Sequence, residues 1–123
     1  MMNKPNGSGI GRIIKAGRCS LQGLQAVYKY ESAFRQELLL CALLVPLAFI
    51  LAKTPLGLSL MIFGLGLILL VEVINSAIEA IVDRIGLEQH ELSGRAKDLG
   101  SLAVLMSLLL CAVLWAGVYF SGL

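Results

Sequence analysis

A stripe of polar side chains runs along the apolar segment VEVINSAIEAIVDRIG at 71–86. At 100° per residue its members fall within one helical arc about 100° wide. The members are Glu72, Asn75, Ser76, Glu79 and Asp83. Ionisable residues in an apolar membrane helix are costly, so they are expected to face protein or a water-filled cleft. The spacing therefore predicts a functional polar face.

These carboxylates suit phosphoryl transfer, which needs mainly positioning and charge neutralisation. Mg²⁺ is held by one or two carboxylates with substrate phosphates completing its shell, and Glu31 and Glu79 could supply them from two helices. Lys97 and Arg12 could hold phosphate oxygens. Glu72 lies deeper in the apolar segment, where it could accept a proton from a lipid hydroxyl. The chain contains no Walker A motif.

Simpler interpretations of the same residues stay open. Glu72 could be a buried structural carboxylate that is paired within an oligomer. Glu79 and Asp83 could form a solvated helix end together with Arg84. His90 alone is more often a loop histidine than a ligand.

The composition excludes an ordinary water-soluble domain. The chain has 123 residues, of which 58% are hydrophobic and 15% charged, and its mean hydropathy is +0.85. Globular domains are about 45–50% apolar and about 25% charged. A soluble core of this length could not bury so much apolar surface. Three cysteines without metal-ligand spacing are expected to be structural thiols; they are Cys19, Cys41 and Cys111.

Three uncharged apolar runs predict three membrane-spanning helices, because about 20 helical residues cross the hydrocarbon core. The runs are 38–52, 54–71 and 99–123. We expect the helices themselves to cover about 34–52, 54–82 and 95–121. Ser93 is predicted to cap the third helix, with Gly94 as its first residue.

The segment before the first span has a different pattern. Residues 12–30 are amphipathic with a basic face, which fits a helix on the bilayer surface; packing against the protein itself is the alternative. Residues 1–11 are predicted to be a flexible tail and 12–123 a single domain. Basic residues concentrate before the first span and within 83–98. The positive-inside rule therefore places the N-terminus and that loop in the cytoplasm.

Three motifs together resemble the prokaryotic diacylglycerol kinases, small integral membrane enzymes related to the undecaprenol kinases. The motifs are VEVINSAIEAIVDRIG at 71–86, EQHELSGRAKDLGS at 88–101 and ESAFRQE at 31–37. The resemblance covers about 12–101, whereas the third span matches only in being hydrophobic.

The resemblance implies an all-α membrane protein, in which each subunit of a homotrimer has three transmembrane helices and an amphipathic N-terminal surface helix. It implies transfer of the γ-phosphate of MgATP to the free hydroxyl of diacylglycerol, which gives phosphatidic acid. The expected location is the bacterial cytoplasmic (inner) membrane, with the N-terminus and the active site on the cytoplasmic side.

The resemblance also implies roles for individual residues. The position matching Glu72 is the general base, and those matching Glu31 and Glu79 bind the metal. The nucleotide-binding positions match Arg12, Cys19, Glu31, Asn75, Glu79, Glu88, Gln89, His90, Lys97 and Asp98. The lipid-substrate positions match Arg12, Ala16, Ser20, Glu31, Ser32, Ala33, Phe34, Arg35, Glu72 and Ser101. This chain departs from the family pattern at Cys19 and Leu21, where family members carry aromatic residues.

Other functions remain as alternatives at this stage. An undecaprenol kinase would also phosphorylate a lipid hydroxyl. A small proton-coupled transporter could use Glu72 as its carrier, but such sites lie near the bilayer midplane. Glu72 is instead about 27 Å along the helix from Thr54, near one membrane face. A membrane scaffold protein would leave the polar stripe unexplained.

Overall fold

A computed structural model of the chain describes residues 8–123, and every regular element in that range is a helix. The four helices are α1 (Gly9–Tyr30), α2 (Ser32–Leu51), α3 (Pro55–Ile85) and α4 (Glu91–Phe120). The last three are long and apolar enough to cross a membrane. The predicted all-α class is therefore confirmed, as is the prediction of three helices able to span a membrane. A first compact unit ends at Ser32, and a second covers Ala33–Leu123.

The first unit contains α1, which begins at Gly9 rather than at residue 12. Residues 1–7 of the predicted flexible tail lie outside the described residues. The helix ends at Tyr30 because Glu31 adopts an extended conformation, with φ −115° and ψ 103°. The backbone N–H of Glu31 still donates to the Val27 carbonyl oxygen at 3.1 Å, which closes the last turn.

The helix α2 begins at Ser32, slightly before the expected position 34, and ends at Leu51. It continues through Pro46, although proline has no N–H to donate to the preceding turn. Transmembrane helices tolerate such a residue when neighbouring groups satisfy the freed carbonyl.

The helix α3 has clear start and stop signals. Thr54 caps it, since its hydroxyl oxygen accepts the Gly57 N–H at 3.0 Å, and Pro55 occupies the first helical turn, where no N–H is needed. The helix extends beyond the predicted end at residue 82 to Ile85, where the Gly86 N–H donates to the Val82 carbonyl oxygen at 3.2 Å. The whole polar stripe therefore lies on one continuous helix.

The predicted start of the last helix at residue 95 and its cap at Ser93 are wrong. The helix α4 begins at Glu91, because His90 acts as the cap and its Nδ1 accepts the Leu92 N–H at 3.1 Å. Glu91 in the first turn complements the positive end of the helix dipole. Ser93 and Gly94 consequently lie inside the first turns of α4.

Within the second unit, α3 and α4 pack along the spans. One buried cluster contains Cys41, Leu65, Ile68 and Cys111, and a second contains Ala48, Met61 and Val118. The indole N–H of Trp115 donates to the Met61 carbonyl oxygen at 3.1 Å. The Leu123 carbonyl oxygen accepts the backbone N–H groups of Lys53 at 2.8 Å and Thr54 at 2.7 Å.

Much of the apolar surface of the spans stays exposed. Leu39 is 61% exposed, Phe63 64% and Val113 69%, one on each long helix. Exposing so large an apolar surface to water is unfavourable, whereas contact with lipid chains or with further copies of the protein is not. The second unit is therefore that of an integral membrane protein.

Candidate active site

The polar stripe of α3 passes from the protein interior to solvent. Glu72, at its deep end, is only 3% exposed, and Asn75 is 9% exposed. Ser76 and Glu79 are half-buried, while Asp83 is exposed. A buried carboxyl group at one end and a solvent-facing charge at the other are thus held on the same continuous helix.

Glu72 lies near a second carboxyl group, from α2. The half-buried Glu37 lies near enough to Glu72 for the charges of the two carboxyl groups to act on each other, and its Oε1 atom is buried without a hydrogen-bond partner among the described residues. Sequence analysis did not select Glu37 as a site residue. The available signal was its place between the apolar residues Phe34 and Cys41, three and four residues away, both of which are buried in the structure. At helical spacing, a charged residue between two buried ones points to the interior.

Asn75 lies against α4 at Gly100. A Cβ atom at position 100 would collide with the Asn75 side-chain oxygen, so any other residue there would force the Asn75 side chain or the helices to move. Asn75 Oδ1 and the neighbouring Ser76 hydroxyl are buried without a hydrogen-bond partner among the described residues. Such atoms are uncommon in native structures and are a sign of a functional site.

Lys97 brings a positive charge from α4 to the outer end of the stripe. Its Nζ atom lies 2.8 Å from Asp83 Oδ1. The negative charge of Glu79 also acts on this ammonium group. The two side chains of the ion pair are 44% and 50% exposed, so both remain accessible to a charged ligand.

A cleft of about 460 Å³ opens at this end of the second unit. It lies where α3 ends and α4 begins, and its polar lining includes Asp83, Glu88, Gln89, His90 and Lys97. Four of these were predicted to contact a nucleotide. His90 Nδ1 is occupied by its cap, which leaves Nε2 for a ligand. Asp98 and Ser101 are exposed on α4 and do not line the cleft.

The remaining predicted site residues lie near the start of the described chain. Arg12, Ala16, Cys19 and Ser20 belong to α1, whereas Ser32, Ala33, Phe34 and Arg35 form the first turn of α2. The Ser20 hydroxyl donates to the Ala16 carbonyl oxygen at 2.9 Å. Glu31 stands between these two helices and is half-buried. Phe34 is 3% exposed, whereas Arg35 is exposed.

The available donors suit a hard cation that is shared with phosphates. Among residues 8–123, no group of three or more His, Cys, Asp or Glu side chains forms a metal site by itself. Mg²⁺ typically takes only one or two protein carboxylates and fills its shell with phosphate oxygens and water. The half-buried carboxylate of Glu79, beside the Lys97 charge, matches that requirement.

Comparison with known proteins shows the family to which this chain belongs. The family model of prokaryotic diacylglycerol kinases matches residues 18–119. A diacylglycerol kinase of Haemophilus influenzae is 45% identical over 113 residues, which cover 92% of this chain and 96% of that protein. The diacylglycerol kinase of Escherichia coli K12 is 47% identical over 116 residues, covering 94% and 95%. That of Pseudomonas aeruginosa is 46% identical over 111 residues, covering 90% of each chain.

The family match covers most of the chain, and the relatives align over nearly their whole length. The resemblance seen in the three sequence motifs is therefore confirmed. Membership of a kinase family also implies a nucleotide as phosphoryl donor. This chain, with three helices able to span a membrane, belongs to the prokaryotic diacylglycerol kinase family.

Proposed function

We propose that this protein transfers the γ-phosphate of ATP to the free hydroxyl of diacylglycerol, giving phosphatidic acid at the cytoplasmic face of the membrane. The observation that carries the proposal is the α3 stripe. The deep end of the stripe carries the buried carboxyl group of Glu72. Its solvent end borders the cleft that is lined in part by Lys97. A lipid hydroxyl and a water-soluble nucleotide need these two different environments.

Glu72 acts as general base in this proposal. Its carboxylate accepts the proton of the lipid hydroxyl as the hydroxyl oxygen attacks the γ-phosphorus atom. The bond from that phosphorus to the β–γ bridging oxygen breaks, and ADP leaves. Lys97 neutralises charge that develops on the phosphate oxygens, which is the main contribution a protein makes to phosphoryl transfer.

Nucleotide binding is assigned to residues of the cleft, to neighbouring positions on α3 and α4, and to α1 with the residue that follows it. The residues are Arg12, Cys19, Glu31, Asn75, Glu79, Glu88, Gln89, His90, Lys97 and Asp98. Glu31 and Glu79 would hold Mg²⁺, which when bound supplies positive charge to the phosphates. This set contains cationic, carboxylate and amide groups, a mixture that suits a nucleoside triphosphate with its metal ion.

Lipid binding is assigned to residues at the membrane surface. They are Arg12, Ala16, Ser20, Glu31, Ser32, Ala33, Phe34, Arg35, Glu72 and Ser101. In this proposal α1 lies on the cytoplasmic surface of the bilayer, with its apolar face toward the lipid. Three copies form a homotrimer that covers part of the exposed apolar surface of the spans.

The proposal is tested with purified protein in mixed micelles containing diacylglycerol and γ-labelled ATP. We expect labelled phosphatidic acid, and we expect Glu72→Gln to lower turnover about 100-fold or more, since a general base contributes about 10²–10⁴-fold. Arg95→Gln is the control because that side chain is 60% exposed on the surface of α4 and does not line the cleft. It should keep the wild-type rate.

Three outcomes would contradict parts of this proposal. Full turnover by Glu72→Gln would remove Glu72 from the role of base. Faster phosphorylation of undecaprenol than of diacylglycerol in a parallel assay would make undecaprenol the substrate. Proton-driven flux in liposomes without ATP consumption would replace the kinase by a transporter.

A further inference from the structure

Gly86 directly follows the last residue of α3 and lines the polar cleft. Its φ of 175° and ψ of 152° are those of extended backbone, which any residue can adopt. Its N–H donates to the Val82 carbonyl oxygen at 3.2 Å, a bond that every residue except proline could make. Neither property of the backbone accounts for a glycine at this position.

The space beside Gly86 is filled by the carboxylate of Glu88. A Cβ atom at position 86 would lie 2.6 Å from Glu88 Oε1, 2.7 Å from Oε2 and 2.9 Å from the carboxyl carbon. All three distances are shorter than the non-bonded contacts that Cβ atoms make in folded proteins. The carboxylate therefore occupies the volume that the side chain of any other residue would enter.

Glu88 has no partner of its own in the part of the chain that the structure describes. Two neighbouring groups of the cleft are already engaged, since Lys97 pairs with Asp83 and His90 Nδ1 accepts the Leu92 N–H. Glu88 forms neither an ion pair nor a hydrogen bond with any of residues 8–123, and its side chain is exposed. Its carboxylate is thus available to a ligand in the cleft.

Glu88 also lies between two cavities. Like Gly86, it lines both the polar cleft of about 460 Å³ and a second cavity of about 300 Å³. The second cavity has the apolar side chains of Ile85 and Leu92 in its lining, whereas Lys97 lines only the first. A carboxylate repels phosphate, but it accepts hydrogen bonds from hydroxyl and amino groups. A nucleotide carries such donors on its sugar and its base.

We propose that Gly86 is a positioning residue for nucleotide binding. Because it has no side chain, the Glu88 carboxylate can lie at the wall between the two cavities, where it accepts hydrogen bonds from the nucleoside part of the nucleotide. This inference rests on the proposed function, in which Glu88 binds ATP. Gly86 needs no contact with the nucleotide, since it acts through Glu88.

A side chain at position 86 should affect binding rather than folding. The atoms in its way are the far end of a long, exposed side chain, so the carboxylate can move aside while the ends of the helices stay in place. Replacing glycine by alanine also restricts the unfolded chain, which favours folding. Gly86→Ala should therefore lower nucleotide affinity without lowering stability.

The test uses the purified protein in the diacylglycerol micelle assay at varied ATP. We expect Gly86→Ala to raise the KM for ATP about 10-fold and to keep kcat within about twofold, because the lost contact serves the ground state and the transition state alike. The inhibition constant of ADP should rise by a similar factor, since ADP carries the same nucleoside and lacks only the γ-phosphate.

A double-mutant cycle tests whether Gly86 acts through Glu88. Glu88→Ala removes the carboxylate and should also raise the KM for ATP about 10-fold. Adding Gly86→Ala to Glu88→Ala should cause no further rise, because no carboxylate is left for the new Cβ to displace.

Gly117→Ala is the matched control, since its new Cβ has no atom within 4 Å and Gly117 does not line the cleft. It should keep the wild-type KM. Thermal unfolding in the same micelles should give Gly86→Ala a midpoint at or above that of the wild type.

Four results would overturn this inference. A wild-type KM in Gly86→Ala would show that the space beside Gly86 is not needed, and a lowered unfolding midpoint would reduce Gly86 to a packing residue. An unchanged inhibition constant of ADP would place the lost contact on the γ-phosphate. Multiplying effects of the two substitutions would show that Gly86 does not act through Glu88. The proposed function fails separately, if the wild-type protein forms no phosphatidic acid.

Discussion

Two cations on α4, Lys97 and Arg95, have different surroundings. These surroundings distinguish a residue with a proposed function from an ordinary surface charge. Lys97 pairs with Asp83 of α3 at 2.8 Å and lines the cleft. Arg95 pairs with Glu91 on its own helix at 3.3 Å, with side chains 60% and 85% exposed. Exposed ion pairs contribute only about 0–1 kcal/mol to stability. Neither pair is therefore required for folding, and only Lys97 is placed to meet a phosphate.

Replacing these cations should separate the two roles. We expect Lys97→Met to lower kcat/KM for ATP about 10- to 100-fold, because a hydrogen bond to a charged group contributes about 1.5–3 kcal/mol. Its thermal unfolding should change little. Arg95→Gln should leave both quantities unchanged. Initial rates at varied ATP give the comparison, and equal losses in the two variants would reduce Lys97 to an ordinary surface charge.

At the scale of the helices, the close approach of α3 and α4 determines where the stripe points. Gly100 gives Asn75 the space that a side chain would occupy, and a Cβ at Gly64 would lie 2.9 Å from Cys111 Sγ. Both glycines lie at contacts between the two helices. Small residues of this kind let membrane helices approach closely. The helix pair is therefore the frame that holds the polar stripe of α3 against α4.

Adding one methyl group to this contact should disturb both packing and activity. We expect Gly100→Ala to destabilise the protein by about 1–3 kcal/mol, as overpacking does, and to lower kcat because Asn75 must move. Gly117→Ala, on the same helix, has no neighbouring atom within 4 Å of the new Cβ and should keep both. Thermal unfolding and rate assays measure the difference, and a fully active, stable Gly100→Ala would contradict the tight contact.

At the scale of the whole molecule, the apolar surface is larger than the chain can bury. Leu39, Phe63 and Val113 are mostly exposed on three different helices, while the polar stripe needs shielding from lipid. Polar groups inside a membrane are expected to face protein or a water-filled cleft. The proposed homotrimer meets both needs if each site forms where two subunits meet.

Mixing inactive subunits tests whether the sites are shared. Glu31→Gln and Glu72→Gln, each inactive alone, should recover about a quarter of wild-type activity after random 1:1 reassembly, if each site takes one residue from each of two neighbouring subunits. A mixture of Glu72→Gln and Glu79→Gln is the control: both residues lie on α3, so no recovery is expected. Failure of the first mixture to recover would place the whole site within one subunit.

Local patterns in the sequence were sufficient to predict the three apolar helices and the polar stripe on α3. Helical periodicity alone placed Glu72 and Asn75 on one face, and the bounds expected for the three membrane helices lie within four residues of those observed. The start of α4 was missed, because a histidine cap is less distinctive than a serine cap and His90 had been considered only as a loop residue or a nucleotide contact.

The sequence by itself determined that this is a helical membrane protein of a known kinase family with acidic groups on one helical face. These properties depend on residue types and short-range spacing, which hold before any helix meets another. Only the tertiary structure decided that Glu37 lies near Glu72, that Asn75 lies on Gly100 and that Lys97 pairs with Asp83. Each of these pairs joins two helices and depends on their rotation and separation, which periodicity leaves free.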